Sequence, residues 1–420
     1  ITIVGINDDP VAVDDTDSVS QNTTIIRSSG LKLLMADDSD ADNDDNITVT
    51  QIGLTGQSSS GVIAGSSYNS NGTQIEGTYG ILTVGADGTY TYVAGSNNGT
   101  DSFTYTISGG TATDTATLII TVSPNAAPNV VNDTDSVTEG GTVTETTNSQ
   151  GTVLSDDSDD DGETLTVSGT VTQTSATANG GSSITISSPN SASVGSAVTG
   201  YYGQLTLDSD GTYSYVANQS TAEALDDSES GTDVFTFAVS DGITTTSSTI
   251  TFTVNGQNDA PTVVNDTDSV TEGGTVIETT NSQGTVLSDD SDVDGDSLTV
   301  SGTVSQTSAT ANGGSSITIS SPNSASVGSA VTGYYGQLTL DSDGTYSYVA
   351  NQSTADALDG GESGTDVFTF TVSDGTTTTS STITITVNGI FQASSTVEED
   401  GSVSVTDGGS ASSPSAVSLA

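Results

Sequence analysis

Apolar residues recur at every second position through most of this chain, the period of a β-strand with one buried face. Between positions 233 and 240, Phe235, Phe237 and Val239 share one face while Thr236 and Ala238 take the other; Ile250, Phe252 and Val254 repeat the pattern. Leu205 and Leu207 are placed to pair with Tyr213 and Tyr215 across Asp208-Ser209-Asp210-Gly211, a turn that recurs at 341–344 and at Asp87-Gly88. Asp-Gly between two alternating runs predicts a tight hairpin with the glycine at positive φ. Thr, Val and Ser dominate and no helical periodicity stands out, so the fold class is all-β, built from antiparallel β-sandwiches.

Repeats set the organisation. Residues 128–256 and 261–389 differ at twelve positions, and Pro261 lies 133 residues after Pro128. Residues 10–124 form a diverged, shorter copy, with most of the missing length between Tyr92 and Phe103; repeat 2 carries an acidic insert, AEALDDSES, in the equivalent interval. A period this long is one domain per repeat, large enough for its own core. The predicted domains are therefore 10–124, 128–256 and 261–389, referred to below as repeats 1, 2 and 3. Residues 1–9 resemble the last strand of a preceding repeat plus a linker, and 390–420 the start of a fourth. The expectation is a window on a longer array; strand complementation between the two ends of neighbouring molecules is the alternative.

Charge changes the picture next. The chain has 54 Asp plus Glu against two basic residues, Arg27 and Lys32, for a formal charge of −52. Such a surface cannot neutralise phosphates, which excludes nucleic acid as a partner and attraction to an anionic membrane. No apolar run approaches a bilayer span, so direct membrane insertion is excluded as well. Self-repulsion on this scale calls for bound counter-ions. There is no Cys and no His, so disulfides and thiolate or imidazole metal sites are absent, leaving hard cations held by oxygen.

An acidic loop recurs in each repeat, at 37–45, 156–163 and 289–296. It reads D-x-D-x-D-G from Asp157 and from Asp290, and D-x-D-x-D-N from Asp38. Alternate carboxylates closed by a turn residue bring several oxygens to one point, as Ca2+ requires. Asp38, Asp40 and Asp42, Asp157, Asp159 and Asp161, and Asp290, Asp292 and Asp294 are the candidate ligands; the alternative is a solvated acidic turn. An EF-hand is excluded, because its twelfth position is Ser168 or Ser301 where a bidentate Glu is needed.

The segments Tyr202-Gly203-Gln204-Leu205-Thr206, Asp210-Gly211-Thr212-Tyr213-Ser214-Tyr215, Asp233-Val234-Phe235-Thr236-Phe237 and Val239-Ser240-Asp241-Gly242 closely resemble the VCBS repeat of large bacterial surface proteins. Asp292-Val293-Asp294-Gly295-Asp296-Ser297-Leu298-Thr299 and the junction Asn258-Asp259-Ala260-Pro261 resemble bacterial cadherin-like tandem repeats. The resemblance covers 10–389, with Ser108-Gly109-Gly110 departing from the Ser-Asp-Gly in repeat 1. It implies Ig-like or cadherin-like sandwiches arranged as an extended rod, secreted, and rigidified by calcium shared across junctions. Strand order then adds Asp133, Glu139, Asp241, Asn258, Asp259, Asp266 and Asp374 to the candidate ligands. The junction between repeats 1 and 2 looks poorer, since its linker is Pro124-Asn125-Ala126-Ala127-Pro128 and Gln21 stands in place of Glu139. Weaker calcium binding and more bending are expected there.

The leading functional reading is a non-catalytic structural stalk of a bacterial extracellular adhesin or biofilm protein, with adjacent repeats as each other's partners. A self-assembling filament or sheath joined head to tail is the runner-up. A surface glycan or host ligand is a third possibility, with Tyr201-Tyr202 and Tyr334-Tyr335 as stacking rings; such pairs more often place one ring in the core and one at an edge.

Overall fold

The computed structural model describes residues 7–29, 34–42, 46–145, 151–278, 284–391, 393–397 and 403–407. The strand expected in residues 1–7 therefore falls almost wholly outside them, as do Lys32, Asn43, Asp44 and Asp45. Among the described residues there is no α-helix; each repeat is two facing sheets, and the helical turns are single 3-10 turns at Asn179–Gly181 and Asn312–Gly314.

In repeat 2 one sheet runs Asp133–Thr138, Thr245–Asn255, Ser230–Ser240 and Thr166–Thr177, with Ser183–Ile184 and Ser191–Ser193 on the last strand's outer edge. The other runs Thr142–Glu145, Tyr213–Val216, Gln204–Leu207 and Val198–Thr199. Repeat 3 has the same order, and repeat 1 a shorter version of it. One pairing departs from the antiparallel expectation: the first strand of each repeat runs parallel to the last, as Asp133–Thr138 does beside Ile250 to Asn255. The chain enters and leaves each sandwich along the same edge and in the same direction, which places its exit at the opposite pole from its entry.

Alternation puts the core where the sequence placed it. Phe235, Phe237 and Val239 are buried against Leu205, Leu207, Tyr213 and Tyr215 of the facing sheet, and the pairs Leu205 with Tyr215 and Leu207 with Tyr213 close the hairpin. Gly211 at its turn has φ +84°, a backbone conformation that side chains disfavour. Gly203 is required by space instead, since a Cβ there would lie 2.4 Å from Tyr215 Cζ. In each tyrosine pair one ring is buried and the other half-exposed: Tyr202 with Tyr201, and Tyr335 with Tyr334.

The two sheets are also joined by a wholly buried carboxylate. Asp366 accepts hydrogen bonds from the main-chain nitrogens of Tyr334 (2.8 Å), Tyr335 (2.9 Å) and Gly336 (3.2 Å), from Gln306 Nε2 (3.0 Å) and from Tyr348 Oη (2.6 Å). Asp233 does the same in repeat 2, and Asp101 takes Thr78 N, Tyr79 N and Tyr92 Oη in repeat 1. Five neutral donors converging on one anion replace its hydration, which is what makes burial of the charge affordable. Beyond repeat 3, Ala393–Val397 and Val403–Asp407 pair with each other as a hairpin, whereas the first two strands of each complete repeat join opposite sheets.

Replacing Asp366 by Ala strands several buried donors, at a cost of about 3 kcal/mol. In calorimetry one unfolding transition should fall by roughly 10 °C while the others stay in place. An unchanged profile would show that this carboxylate does not tie the sheets together.

Candidate metal centre

At the junction of repeats 2 and 3 four acidic side chains follow one pattern: one oxygen holds the backbone and the other is left over. Asp290 Oδ1 accepts from Val264 N (2.8 Å), Asp292 Oδ1 from Asp294 N (3.0 Å), and Asp294 Oδ2 from Asp259 N (2.7 Å). From repeat 2, Glu139 Oε1 accepts from Gln257 N at 2.9 Å. The second oxygens, Asp290 Oδ2, Asp292 Oδ2, Asp294 Oδ1 and Glu139 Oε2, are shielded from solvent and have no hydrogen-bond partner. Glu139 is only 7% exposed and feels the charges of Asp259 and Asp294 across the junction.

Asn258 follows the same rule. Its Nδ2 donates to Asp259 O (2.6 Å), Asp374 Oδ2 (3.1 Å) and Thr377 Oγ1 (3.4 Å), leaving Oδ1 buried and unpartnered. The Asp374 carboxylate accepts only, so it turns the amide nitrogen toward itself and the amide oxygen away. Asp374 has no oxygen to spare: Oδ1 takes Thr376 N and Thr377 N (2.6 Å each), and Oδ2 takes Thr377 Oγ1 (2.6 Å) beside Asn258. Burial pushes its carboxyl up, but these bonds together hold it well below the usual carboxylate range. Asp241 is engaged identically in repeat 2, by Ile243 N, Thr244 N, Thr244 Oγ1 and Asn125 Nδ2, and against the effect of burial is held down to about 2.

The junction of repeats 1 and 2 is built differently. Asp161 Oδ2 accepts from Ala126 N (2.6 Å), Asp159 Oδ1 from Asp161 N (2.9 Å) and Asp157 Oδ1 from Val131 N (2.8 Å). Carboxylate oxygens of Asp159, Asp161 and Glu163 all lie within 4.8 Å of one another. Asp159 Oδ2, Glu163 Oε2 and Asn125 Oδ1 are buried without partners. On the repeat 1 side, Gln21 Nε2 turns to Ser96 O at 2.9 Å, and a cleft of about 510 Å³ lies between Ser20, Thr23 and Arg27 on one side and Asp161 and Glu163 on the other. Sequence reasoning left out Glu163 and Asn125; the signals were a Glu where repeat 3 has Asp296, and an Asn preceding each repeat at 7, 125 and 258.

In repeat 1, Asp38 Oδ1 accepts from Val13 N (2.7 Å), Asp40 Oδ1 from Asp42 N (2.9 Å) and Asp42 Oδ2 from Asp8 N (2.6 Å), with Asp40 Oδ2 unpartnered. Gly109 stands where repeats 2 and 3 have Asp241 and Asp374. Asp133 and Asp266 sit apart from the junction groups, at the base of the acidic loops, where burial and then the charges of Asp156 and Asp157, or of Asp289 and Asp290, raise each to about 7. The acidic insert of repeat 2 reaches the upper junction, where the charge of Asp226 acts on Asp294 and Asp296. Among the described residues the ion pair is Arg27 with Asp17, bidentate at 2.8 Å for each contact.

The donor set is all oxygen, anionic and partly desolvated, which fits calcium and fits neither zinc nor copper. A family model described as bacterial cadherin-like domain matches the chain three times, at 7–124, 125–256 and 258–389. No curated protein matches. Among solved structures, the chain is similar to the protocadherin GammaB4 extracellular domain (13% identity, TM-score 0.32, 95% of this chain and 56% of that chain). It is also similar to endo-fucoidan hydrolase MfFcnA4 from glycoside hydrolase family 107 (16% identity, TM-score 0.24, 91% and 44%) and to an I-band fragment of titin (8% identity, TM-score 0.22, 91% and 99%). The chain spans about half the length of the first two.

Burial, helped by neighbouring charge, raises Glu139 to about 7, as it does Asp133 and Asp266. In an unfolded chain such carboxyls titrate near pH 4, so the folded chain takes up protons first. The stability this gives is complete below about pH 4 and is lost as pH rises through about 7. In chelator the protein should melt at a higher temperature at pH 5.5 than at pH 8, and millimolar calcium should remove most of the difference. A melting temperature that rises from pH 5.5 to pH 8 in chelator would contradict the burial of these groups.

Proposed function

The chain belongs to the bacterial cadherin-like domain family, and from that premise we propose that it is a non-catalytic extracellular stalk in which calcium locks repeat 2 onto repeat 3. The observation that carries this reading is Glu139, an anion from repeat 2 that is 7% exposed and whose unpartnered Oε2 feels the acidic groups of the linker and of repeat 3. Glu139, Asn258, Asp292 and Asp294 would hold the ion with one free oxygen each, and Asp259 adds a carboxylate beside them. Ca2+ takes about 6 to 8 oxygens and accepts irregular geometry, so main chain or water completes the shell. Asp374 acts through Asn258, fixing which end of the amide faces the ion.

On this reading the two junctions differ in their mechanics. At the upper one the ligands come from repeat 2, the linker and repeat 3, so binding resists both bending and twisting. At the lower one Asp159, Asp161, Glu163 and Asn125 belong to repeat 2 and its leading linker. An ion there stiffens the linker without reaching repeat 1, and repeat 1 is left to pivot. Extracellular modules of this kind bind calcium with Kd on the order of 10⁻⁴ to 10⁻³ M, which matches exposure to external fluid. Cadherin-like tandem domains are typically non-enzymatic, and no described helix is long and apolar enough to cross a membrane. The family and the charge pattern support a spacer within a large bacterial surface protein of the VCBS kind, holding a binding region away from the cell or within a biofilm.

Small-angle scattering in chelator and in a few millimolar calcium tests this on the wild type and on Glu139→Gln. The wild type should become stiffer with calcium while keeping one mobile junction, and the variant should lose the stiffening with affinity at that site reduced about tenfold or more. Identical profiles with and without calcium would overturn the reading.

A further inference from the structure

Repeats 2 and 3 are nearly identical inside, yet the chain leaves them by different means. Of the twelve positions at which they differ, two are consecutive and lie beside the exit: Asp227 and Ser228 of repeat 2 become Gly360 and Gly361 in repeat 3. The exit segment changes at the same place. Gln257-Asn258-Asp259 follows Gly256, whereas Ile390-Phe391-Gln392 follows Gly389, and the next carboxylate along the chain is Glu398.

Up to that point the two exits share one course. Gly256 N donates to Glu229 O and Gly389 N to Glu362 O, at 3.0 Å in both; Gln257 N donates to Glu139 Oε1 (2.9 Å) and Ile390 N to Glu272 Oε1 (3.3 Å). One residue later they part. Asn258 binds Asp374 and Thr377 of the next repeat through its amide nitrogen, bonds that a phenyl ring cannot make. Phe391 instead lies over Gly360: a Cβ added there would stand 2.4 Å from ring atoms Cγ and Cδ1 and 2.8 Å from Cδ2. Asp227 has such a Cβ, so the matching place in repeat 2 is closed to a ring. The neighbouring Gly361 has the ordinary backbone reason, a φ of +93°, which Ser228 shares at +71°. Ile390 also pairs with Asp359 in a parallel bridge, which lays the exit chain along the loop that carries Gly360.

We propose that the exit of repeat 3 is an aromatic clasp: Phe391, seated on Gly360, fixes the course of the chain into the unit that begins at Ala393–Val397 and forms an apolar joint with it that needs no cation. Phe391 is 63% exposed and Ile390 46%, so the seat takes one side of the ring and leaves the other open. The partner that open side fits is the unit two residues further along the same chain. Covalent linkage at that distance keeps its effective concentration high, so a small apolar contact is enough to hold it. Apolar contact of this kind does not respond to the removal of divalent ions. The two ends of repeat 3 thus answer to different conditions if calcium locks the joint to repeat 2, but the clasp does not rest on that reading.

The test is NMR of the full chain with isotope-labelled glycine, following the α-protons of Gly360 in a few millimolar calcium and in chelator. A ring stacked on a glycine moves its α-protons upfield. The wild type should show that shift equally in both conditions, and Phe391→Leu, which keeps an apolar side chain without the ring, should lose it. Gly360→Asp restores the residue that repeat 2 tolerates at this place, so it should fold, expel the ring and let the Ile390 amide exchange several-fold faster. A Gly360 signal at its ordinary position in the wild type, or a shift that survives Phe391→Leu, overturns the clasp; a shift present only with calcium overturns its independence of cations. Scattering that ignores calcium while the Gly360 shift persists removes the calcium lock between repeats 2 and 3 and leaves the clasp standing.

Discussion

At the upper junction four acidic side chains are split between two tasks. Asp290, Asp292, Asp294 and Glu139 each give one oxygen to a backbone N–H and keep the other inward and unpartnered. The first task fixes the loop without any ion; the second leaves a concentrated negative field that protein donors do not relieve. With two basic side chains against 54 acidic ones, the chain has no internal means of relieving it. Any cation that binds only the folded arrangement would relieve it and stabilise the fold by mass action.

The buried Asp101, Asp233 and Asp366 mark the contrasting solution. Tyrosine hydroxyls and main-chain amides saturate these carboxylates, so they need no ion. Saturated and unsaturated carboxylates thus coexist in one small sandwich, the first tying sheet to sheet, the second found at both of its ends, Glu139 toward repeat 3 and Asp159 and Glu163 toward repeat 1. Asp241 and Asp374 belong to the saturated class although they stand beside the unsaturated one, which gives them the task of orienting Asn125 and Asn258.

Much of the architecture was legible because strand alternation and Asp-Gly turns are local signals: Phe235, Phe237 and Val239 line the core, and Gly211 sits at positive φ. The parallel pairing of first and last strands was not legible, because it is decided by where the chain re-enters a sheet more than 100 residues later. For the candidate site, spacing located the acidic loops but not which oxygen of each carboxylate is already engaged. Ranking the lower junction by its missing linker aspartate overlooked Glu163, whose extra methylene carries its carboxylate within reach of Asp159 and Asp161. Tyr105 and Phe237 read as the same core residue in a hydrophobic pattern; they differ in one hydroxyl whose neighbours come from four separate segments.

The edge pairing has a mechanical meaning. The strand by which the chain enters each sandwich lies alongside the one by which it leaves, in parallel register over six residues, Asp133 to Thr138 against Ile250 to Asn255. Tension applied through the two neighbouring linkers pulls these strands in opposite directions along their length. Their hydrogen bonds are then loaded in shear, all at once, instead of opening one by one like a zip. Each repeat is therefore built to resist extension along its entry-to-exit axis, through main-chain hydrogen bonds that lie within one sheet.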